Sequence, residues 1–599
     1  MNNIKRITPL LLVAMISMVS CGNKTNGKNF HFASYKTAEA VDYKVFFDEE
    51  YFSHPASEYQ TGLATASACL ALAGFSSTIG HDYVNSPNNA KEFFNKLGFN
   101  NFMSNDFGIS QPTRHSFGVY IAKKSIDDYT LLGITVRGAG YLSEWASNVT
   151  LGESGDFAEG FYEASSIYLD TLNSYIGKHN VTGNIKIWTA GYSRGGAGVN
   201  LAIGRIDDAL ANNETILSSD VSFTKDDLYA YCFESPAGKN IDLDGNNIIQ
   251  KGENYSNIHC LLNMNDPVPF VAPTEFNFAR YGVDHYLPDI INSIDYKSHI
   301  SRVKNAINKL PNANIIGEYQ IDNFVYRSIA DSTKKYNWTM GRFLSKFINL
   351  LATGIGSRSD FASKFETTLG DIFELIYKNG TPKDSIVDLG ITIGKNIILM
   401  DPNEILLQDL QFNPKRFFAD LKPLLQKALE STAIENISVD EMMHLLESLS
   451  DALLSVMMLD EGVSCIFTLI SMSNLKALGS AHYPELLLSH MRSMDSNYVS
   501  GNLASPVDSS WKLVVETSYD YTITLNNKIL AESKGDVFET SLVTEQREDE
   551  DIYYLPANQP YFVDIDGDLG DISLYEKRGD YFEDLLIDSA TTNHYEANK

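Results

Sequence analysis

The pentapeptide Gly-Tyr-Ser-Arg-Gly at residues 191–195 is the feature of the sequence with the clearest chemistry. It follows an apolar run at 185–190 and precedes small residues at 196–202, an order that predicts a strand, a sharp turn and a helix. A serine at such a turn projects from the sheet with the helix N-terminus behind it, and the glycines allow close packing. The pattern predicts Ser193 as a nucleophile that attacks an acyl carbon; the alternative is an ordinary glycine-rich turn.

A serine nucleophile needs N–H donors for the oxyanion, and an acid that orients its base. The backbone N–H of Arg194 is one predicted donor. Ala139 is the other, in a turn that directly follows a predicted buried strand at 130–136. The predicted acid is Asp266, which ends an apolar segment and is followed by two prolines that stiffen the loop. An Asp-Pro pair is also common in plain turns, which is the alternative for this residue.

Two histidines are candidates for the base. His482 lies in a loop before an apolar helix predicted at 486–494, with Pro484 near the first turn of that helix. It also gives the order serine, aspartate, histidine that is typical of a strand–elbow–helix nucleophile. His285 lies shortly after Asp266 and is the second candidate. The predicted chemistry needs no metal and no organic cofactor, because imidazole, carboxylate and backbone donors perform every step.

Several ordered blocks resemble the class 3 (fungal-type) lipases. They lie at 136–138 with 144–148, at 160–161, at 233–238 and at 265–269. The resemblance covers about residues 60–300 and implies an α/β-hydrolase fold that cleaves acyl esters through Ser193, Asp266 and His482. In that family the stretch around His285 resembles the strand after the acid, which does not carry the base, so His482 is preferred.

Four residues depart from the pattern of the family. Ala139 stands where a hydroxyl residue is common, and Glu234 replaces the glycine that opens the loop at 233–238. Tyr192 and Arg194 replace the histidine and leucine that commonly flank the serine. No triad atom is lost, but the departures leave the preferred substrate open: triacylglycerols and simple esters, or phospholipids on the same triad. A surface-anchored binding protein without activity is a third interpretation, from a different class.

The N-terminus resembles a bacterial lipoprotein signal. Two basic residues precede an apolar stretch at 7–19 that is too short to span a bilayer, and Cys21 follows small residues. The resemblance implies a signal peptide at 1–20, lipidation of Cys21 and a tether at 21–44. An ordinary secretory signal is the alternative, and both predict an exported protein.

The remaining chain divides by its periodicity. Apolar strands alternate with helices at 45–300, which predicts a parallel sheet covered on both faces. Helical periodicity dominates 301–478, predicted to be a cap insertion, and 479–500 completes the hydrolase core with its histidine. Short strands at 505–599 predict a small β-sandwich.

Composition and spacing exclude several function classes. The net charge of −29 argues against nucleic acid or an anionic membrane surface as a partner, because both attract basic faces. The four cysteines after Cys21 show no metal-ligand spacing and are predicted to be buried thiols, with a bridge between Cys232 and Cys260 left open. Asp242, Asp244 and Asn246 resemble the start of a calcium loop, although a solvated turn is favoured because position twelve is not Glu.

Overall fold

The fold is described by a computed structural model over residues 27–33, 40–74, 86–107, 115–138, 157–240, 255–263, 266, 268–270, 278–287, 301–302, 305, 482–499, 510–535, 537–540, 542–546, 550–556, 559–578 and 582–597. Several predicted features lie outside the described residues: the signal segment with Cys21, Ala139, the calcium candidates Asp242, Asp244 and Asn246, and nearly all of the predicted cap at 301–478.

The chain before residue 290 alternates strands and helices. Its strands, in chain order, are β1 (Lys28–Ala33), β2 (Ala40–Val45), β3 (Asn100–Asn105), β4 (Val119–Ile126), β5 (Tyr129–Val136), β6 (Gly183–Tyr192), β7 (Val221–Ser222), β8 (Leu228–Phe233), β9 (Lys239–Asn240), β10 (Ile258–Leu262), β11 (Phe278–Ala279) and β12 (Val283–Tyr286). Its α-helices are α1 (Thr61–Gly74), α2 (Ser86–Lys96), α3 (Glu159–Lys178) and α4 (Arg194–Ala211). Short 3₁₀ helices lie at Glu49–Ser53, Lys225–Asp227 and Val268–Phe270.

Among the described residues, eight strands form one central sheet in the order β12-β10-β8-β6-β5-β4-β3, with β7 paired to β6. Neighbours from β5 to β12 are parallel, but β4 is antiparallel to both β5 and β3. The sheet is therefore mixed, whereas the sequence predicted a parallel one. The difference arises because β4 and β5 are joined by a tight turn at 127–128, which allows only antiparallel pairing. The predicted α/β class is confirmed.

Side chains of β6 alternate between two hydrophobic layers, as expected of a strand that is covered on both faces. Trp188 and Tyr192 lie in one cluster with residues of α1 and α2, while Ile185 and Ile187 lie in a second cluster with residues of α3 and α4. The indole N–H of Trp188 donates a 2.7 Å hydrogen bond to Ser67 of α1, which satisfies a buried polar group in the first layer. The result is a sheet between two helical layers.

The predicted tether at 21–44 is partly wrong. Strands β1 and β2 pair antiparallel, and Phe30 and Tyr43 are buried in the first hydrophobic cluster. The ring of Phe30 stacks on Phe93 of α2 with their centroids 4.6 Å apart. A segment that buries aromatic side chains in this way gains more from burial than it loses in chain entropy, so it joins the folded core.

The described C-terminal residues begin with helix α5 (Pro484–Met494), which packs against α1. They continue as strands β13 (Ser510–Glu516), β14 (Asp520–Leu525), β15 (Lys528–Lys534), β16 (Val537–Thr540), β17 (Val543–Gln546), β18 (Asp551–Pro556), β19 (Tyr561–Asp566), β20 (Gly570–Arg578), β21 (Phe582–Thr592) and β22 (His594–Ala597).

Within the described residues these ten strands form two five-stranded sheets, β17-β18-β13-β20-β21 and β16-β15-β14-β19-β22, with antiparallel neighbours. Trp511 and Leu513 of the first sheet share one buried hydrophobic cluster with Ile523 and Val563 of the second. The turn between β14 and β15 has Asn526 and Asn527 at φ +51° and +62°, the backbone that a two-residue hairpin requires.

Cys69, Cys232 and Cys260 are buried free thiols. Cys232 and Cys260 lie at paired positions on the adjacent parallel strands β8 and β10, without a bridge. In the part of the chain that is described, no helix is long and apolar enough to cross a membrane.

Candidate active site

Ser193 lies between β6 and α4 with a strained backbone. Its φ of +56° and ψ of −128° are unusual for a residue with a β-carbon, and its N–H donates a 2.8 Å hydrogen bond to the carbonyl of Phe233 at the end of β8. The residue is only partly buried, although its neighbours on both sides are buried. The turn therefore presents the hydroxyl at the carboxyl edge of the parallel strands, as the sequence predicted.

The flanking glycines are required by close backbone approach. A β-carbon on Gly191 would lie 2.4 Å from the carbonyl oxygen of Gly195, closer than atoms can approach. A β-carbon on Gly195 would lie 3.0 Å from Val136 and 3.4 Å from the nitrogen of Gly138. The turn after β5 therefore packs directly against the elbow, which places the residues before Ala139 beside the N-terminus of α4.

His482 and Asp266 meet at this elbow. The Nε2 atom of His482 lies 2.9 Å from Oγ of Ser193, and its Nδ1 atom lies 2.5 Å from Oδ2 of Asp266. The fully buried Asp266 accepts the Nδ1–H, so Nε2 keeps a lone pair that faces the serine hydroxyl. The three residues that the sequence predicted as nucleophile, base and acid are in contact, and this geometry allows the imidazole to accept the proton of Ser193.

The acid is held by its own loop. The other carboxylate oxygen of Asp266 accepts a 2.9 Å hydrogen bond from the N–H of Val268, and the N–H of Asp266 donates to the carbonyl of Asn263. These bonds fix the carboxylate at the end of β10, while His482 has 19% of its side chain exposed. The carboxylate of Asp266 is therefore buried and held by hydrogen bonds, whereas the imidazole of His482 is partly exposed.

His285, the second candidate for the base, is not at the serine. Its Nε2 atom lies 2.9 Å from Nδ1 of His259, and its ring packs 4.6 Å from the ring of Tyr59. Side chains alternate along β12, and position 285 faces the hydrophobic layer under α1 rather than the carboxyl edge. The alternative that His285 acts as the base is therefore wrong for this geometry.

Two residues around the serine have contacts that the sequence did not predict. The hydroxyl of Tyr192 donates a 2.7 Å hydrogen bond to the carbonyl of His482, and the two rings lie 5.3 Å apart. The guanidinium of Arg194 lies over the ring of Phe117 at 5.2 Å and is buried. Tyr192 thus fastens the histidine loop to the end of β6, a role for which a tyrosine beside the serine was the sole sequence signal.

The turn that precedes Ala139 is braced by Arg137. Its N–H donates to the carbonyl of Gly118, and its buried guanidinium donates to the backbone carbonyls of Asp106, at 2.7 Å, and Phe107. No group of acidic, histidine or cysteine side chains that could hold a metal occurs among the described residues.

Comparisons with known proteins give matches among solved structures. No protein-family model matches the sequence, and no curated protein matches it significantly. A triacylglycerol lipase with a serine-protease triad is similar over 40% of this chain and 80% of its own, with 16% identity and a TM-score of 0.24.

Two further solved structures are also similar. The lipase–propeptide complex of Rhizomucor miehei is 17% identical over 38% of this chain and 68% of its own, with a TM-score of 0.24. The mono- and diacylglycerol lipase of Aspergillus oryzae is 17% identical over 38% of this chain and 80% of its own, with a TM-score of 0.26. TM-scores this low assign neither fold nor function.

Proposed function

We propose that this chain is a serine hydrolase of the α/β-hydrolase type that cleaves carboxylic esters of the acylglycerol class. One observation carries the proposal: Oγ of Ser193, at a strained elbow, lies 2.9 Å from an imidazole whose other nitrogen is 2.5 Å from a buried carboxylate. A hydroxyl, an imidazole and a carboxylate in that order form the proton path that acyl transfer by serine requires.

The proposed reaction has two halves. His482 takes the proton of Ser193 as Oγ attacks the ester carbonyl, and the same proton then passes to the departing alcohol oxygen. Water next attacks the acyl-enzyme, gives one proton to His482 and releases the carboxylic acid as that proton returns to Ser193. Asp266 stabilises the imidazolium in both halves, and the N–H groups of Arg194 and Ala139 are the proposed oxyanion donors.

The test is Ser193→Ala compared with Ser53→Ala, which removes an exposed hydroxyl in the first 3₁₀ helix. We expect a fluorophosphonate probe to label the wild type and the Ser53 variant but not the Ser193 variant. Hydrolysis of a p-nitrophenyl ester should fall by about 10⁶-fold in the Ser193 variant alone. Retained hydrolysis by Ser193→Ala would defeat the assignment, and no labelling of folded wild type would favour a binding protein without activity.

The acyl-ester class is refined by a substrate panel of triacylglycerols, short esters and phospholipids assayed with wild type and Ser193→Ala. We expect acylglycerols to have the highest kcat/KM. A higher kcat/KM for phospholipids, lost in the serine variant, would replace this substrate by the phospholipase alternative on the same three residues.

We also propose that the protein is exported and held at a membrane by a lipid on Cys21. The support is the sequence before that cysteine, with its basic start and short apolar stretch. Metabolic labelling with a fatty acid should mark the wild type and not Cys21→Ser, and the variant should leave the membrane fraction. A labelled Cys21→Ser, or a wild type that is never labelled, would contradict the anchor.

A further inference from the structure

Glu234 is a buried acid beside the proposed triad. It stands at the position where the family resemblance implies a glycine. It follows β8 with φ at +46°, and none of its surface is exposed. Its N–H donates to the carbonyl of Leu261 at 3.0 Å, and its Oε2 accepts the N–H of Asn263 at 2.9 Å. Glu234 is therefore fastened to the end of β10, where the loop of Asp266 begins.

Asn263 connects Glu234 to Asp266, because its N–H donates to Oε2 of Glu234 and its carbonyl accepts the N–H of Asp266. Both carboxyls are fully buried, and Oε1 of Glu234 has no hydrogen-bond partner among the described residues. Burial and the negative charge of Asp266 raise the pKa of Glu234 well above its usual value. Two buried carboxyl groups that interact are compatible with burial when one of them holds a proton.

The other charges around the pair leave this conclusion intact. Arg280 is a cation that acts on Glu234, and it lowers the pKa of Glu234 less than burial raises it. Its guanidinium forms two bonds to Asp284, at 3.0 and 2.7 Å, and donates to the carbonyls of Ser235 and Pro269. On the far side of Asp266, the titratable neighbour is His482.

We propose that Glu234 is a protonated positioning residue whose O–H donates a hydrogen bond to Asp266 and thereby sets the basicity of His482. The inference rests on the proposed function. Asp266 then receives the bonds of Val268, His482 and Glu234, so its negative charge is spread over three donors. A carboxylate whose charge is spread in this way stabilises the imidazolium of His482 less, so we infer that Glu234 acts on the proton acceptor of Ser193 through Asp266.

The first experiment compares two variants that keep the β-carbon and length of the side chain, Glu234→Gln and Glu234→Met. The amide of Gln can accept from Asn263 and donate to Asp266, so the acidic limb of the kcat/KM profile should stay where it is in wild type. Met has no donor, so the limb should move to higher pH by about half a unit to one unit, with kcat/KM about 10-fold lower.

The same profiles contain the results that would overturn the proposal. If Glu234 is ionised, Glu234→Gln removes a negative charge next to Asp266, and the acidic limb moves to lower pH by about one unit. A Met variant with the wild-type limb and rate would show that Glu234 does not act on the imidazole. A role in folding alone would lower the melting temperature without moving either limb.

The second experiment reads the proton directly and needs no turnover. Infrared difference spectroscopy of Ser193→Ala at neutral pH, with and without Glu234→Gln, should reveal the C=O stretching band of a protonated carboxyl that the second substitution removes. Absence of that band overturns the proposal even where Glu234→Met fails to fold. Because the Ser193 background is inactive by design, this result stands apart from any failure of the proposed hydrolase function.

Discussion

Two imidazoles of this molecule, those of His482 and His259, differ in the groups that their ring nitrogens contact. His482 has one nitrogen on a buried carboxylate and the other on a hydroxyl at the surface of the elbow. His259 has one nitrogen 2.9 Å from the carbonyl of Ala56 and the other 2.9 Å from His285, and it is almost fully buried. The same side chain is thus poised for proton transfer in one place and is a neutral packing group in the other.

The difference shows that the groups in contact with a histidine ring, rather than its position in the sequence, decide whether the ring can accept a proton. Burial and the neighbouring His285 lower the pKa of His259 to about 3, because together they outweigh the stabilisation of a positive charge by the carbonyl of Ala56. Asp266 supplies that stabilisation to His482. Substitutions that exchange or remove these partners test the comparison.

Removal of the imidazole at the elbow should have the largest effect. We expect His482→Ala to lower kcat about 10⁵- to 10⁶-fold, because Ser193 loses its proton acceptor. His285→Gln, which keeps an N–H donor for His259, should hydrolyse esters at close to the wild-type rate. Steady-state kinetics on a p-nitrophenyl ester measures both, and a reversed ranking of the two variants would break the comparison.

Asp266→Asn changes the partner and keeps the shape. An amide can donate to Nδ1, which favours the tautomer that turns an N–H toward the serine and leaves no acceptor for its proton. We expect kcat to fall by about 10⁴-fold while circular dichroism remains unchanged. A fall of less than tenfold would mean that the carboxylate does not orient His482.

The buried ring should act on stability at acid pH. The pKa of His259 is lowered in the folded state, so between pH 6.5 and its folded value the unfolded chain binds a proton that the folded chain does not. Stability is therefore present above about pH 6.5 and is lost as the pH falls. Relative to His259→Gln, wild type should lose about 2 kcal/mol of unfolding free energy between about pH 6.5 and about pH 5. Denaturant unfolding at several pH values measures this, and a constant difference would contradict it.

Tyr192→Phe should have the smallest effect. The variant keeps the ring beside His482 and loses the 2.7 Å hydrogen bond to its carbonyl, a contact worth about 1 kcal/mol. We expect kcat/KM to fall about 2- to 10-fold with an unchanged melting temperature. A loss as large as that of Asp266→Asn would give Tyr192 a direct part in the reaction.

Local patterns in the sequence predicted much of the core. The strand predicted at 130–136 lies at Tyr129–Val136, and the helix predicted at 486–494 lies at Pro484–Met494. The elbow was predictable because its signals, an apolar strand, glycines and small helical residues, all lie within about two turns of Ser193. An apolar run indicates that a segment is buried. It therefore predicts a strand or helix, but not which other strands or helices pack against it.

The contacts between distant segments could not be predicted in the same way. Tyr192 bonds a residue 290 positions away, and the sequence contains nothing local that records this. The sequence identified Glu234 as an unusual residue. Its contacts with the end of β10 arise because β8 and β10 are adjacent in the sheet. The antiparallel position of β4 likewise depends on the pairing of whole strands rather than on the residues within one.

Asp266 and His482 are 216 positions apart in the chain, so the ribosome adds them at well-separated times. A ribosome needs roughly 10 to 40 s to make a stretch of that length, so the nascent polypeptide carries its hydroxyl and acid well before its imidazole. Under the proposed chemistry, the growing chain is inert toward acyl esters until its last quarter is being made. Chains stalled before residue 482 should therefore escape a fluorophosphonate probe that labels the finished protein.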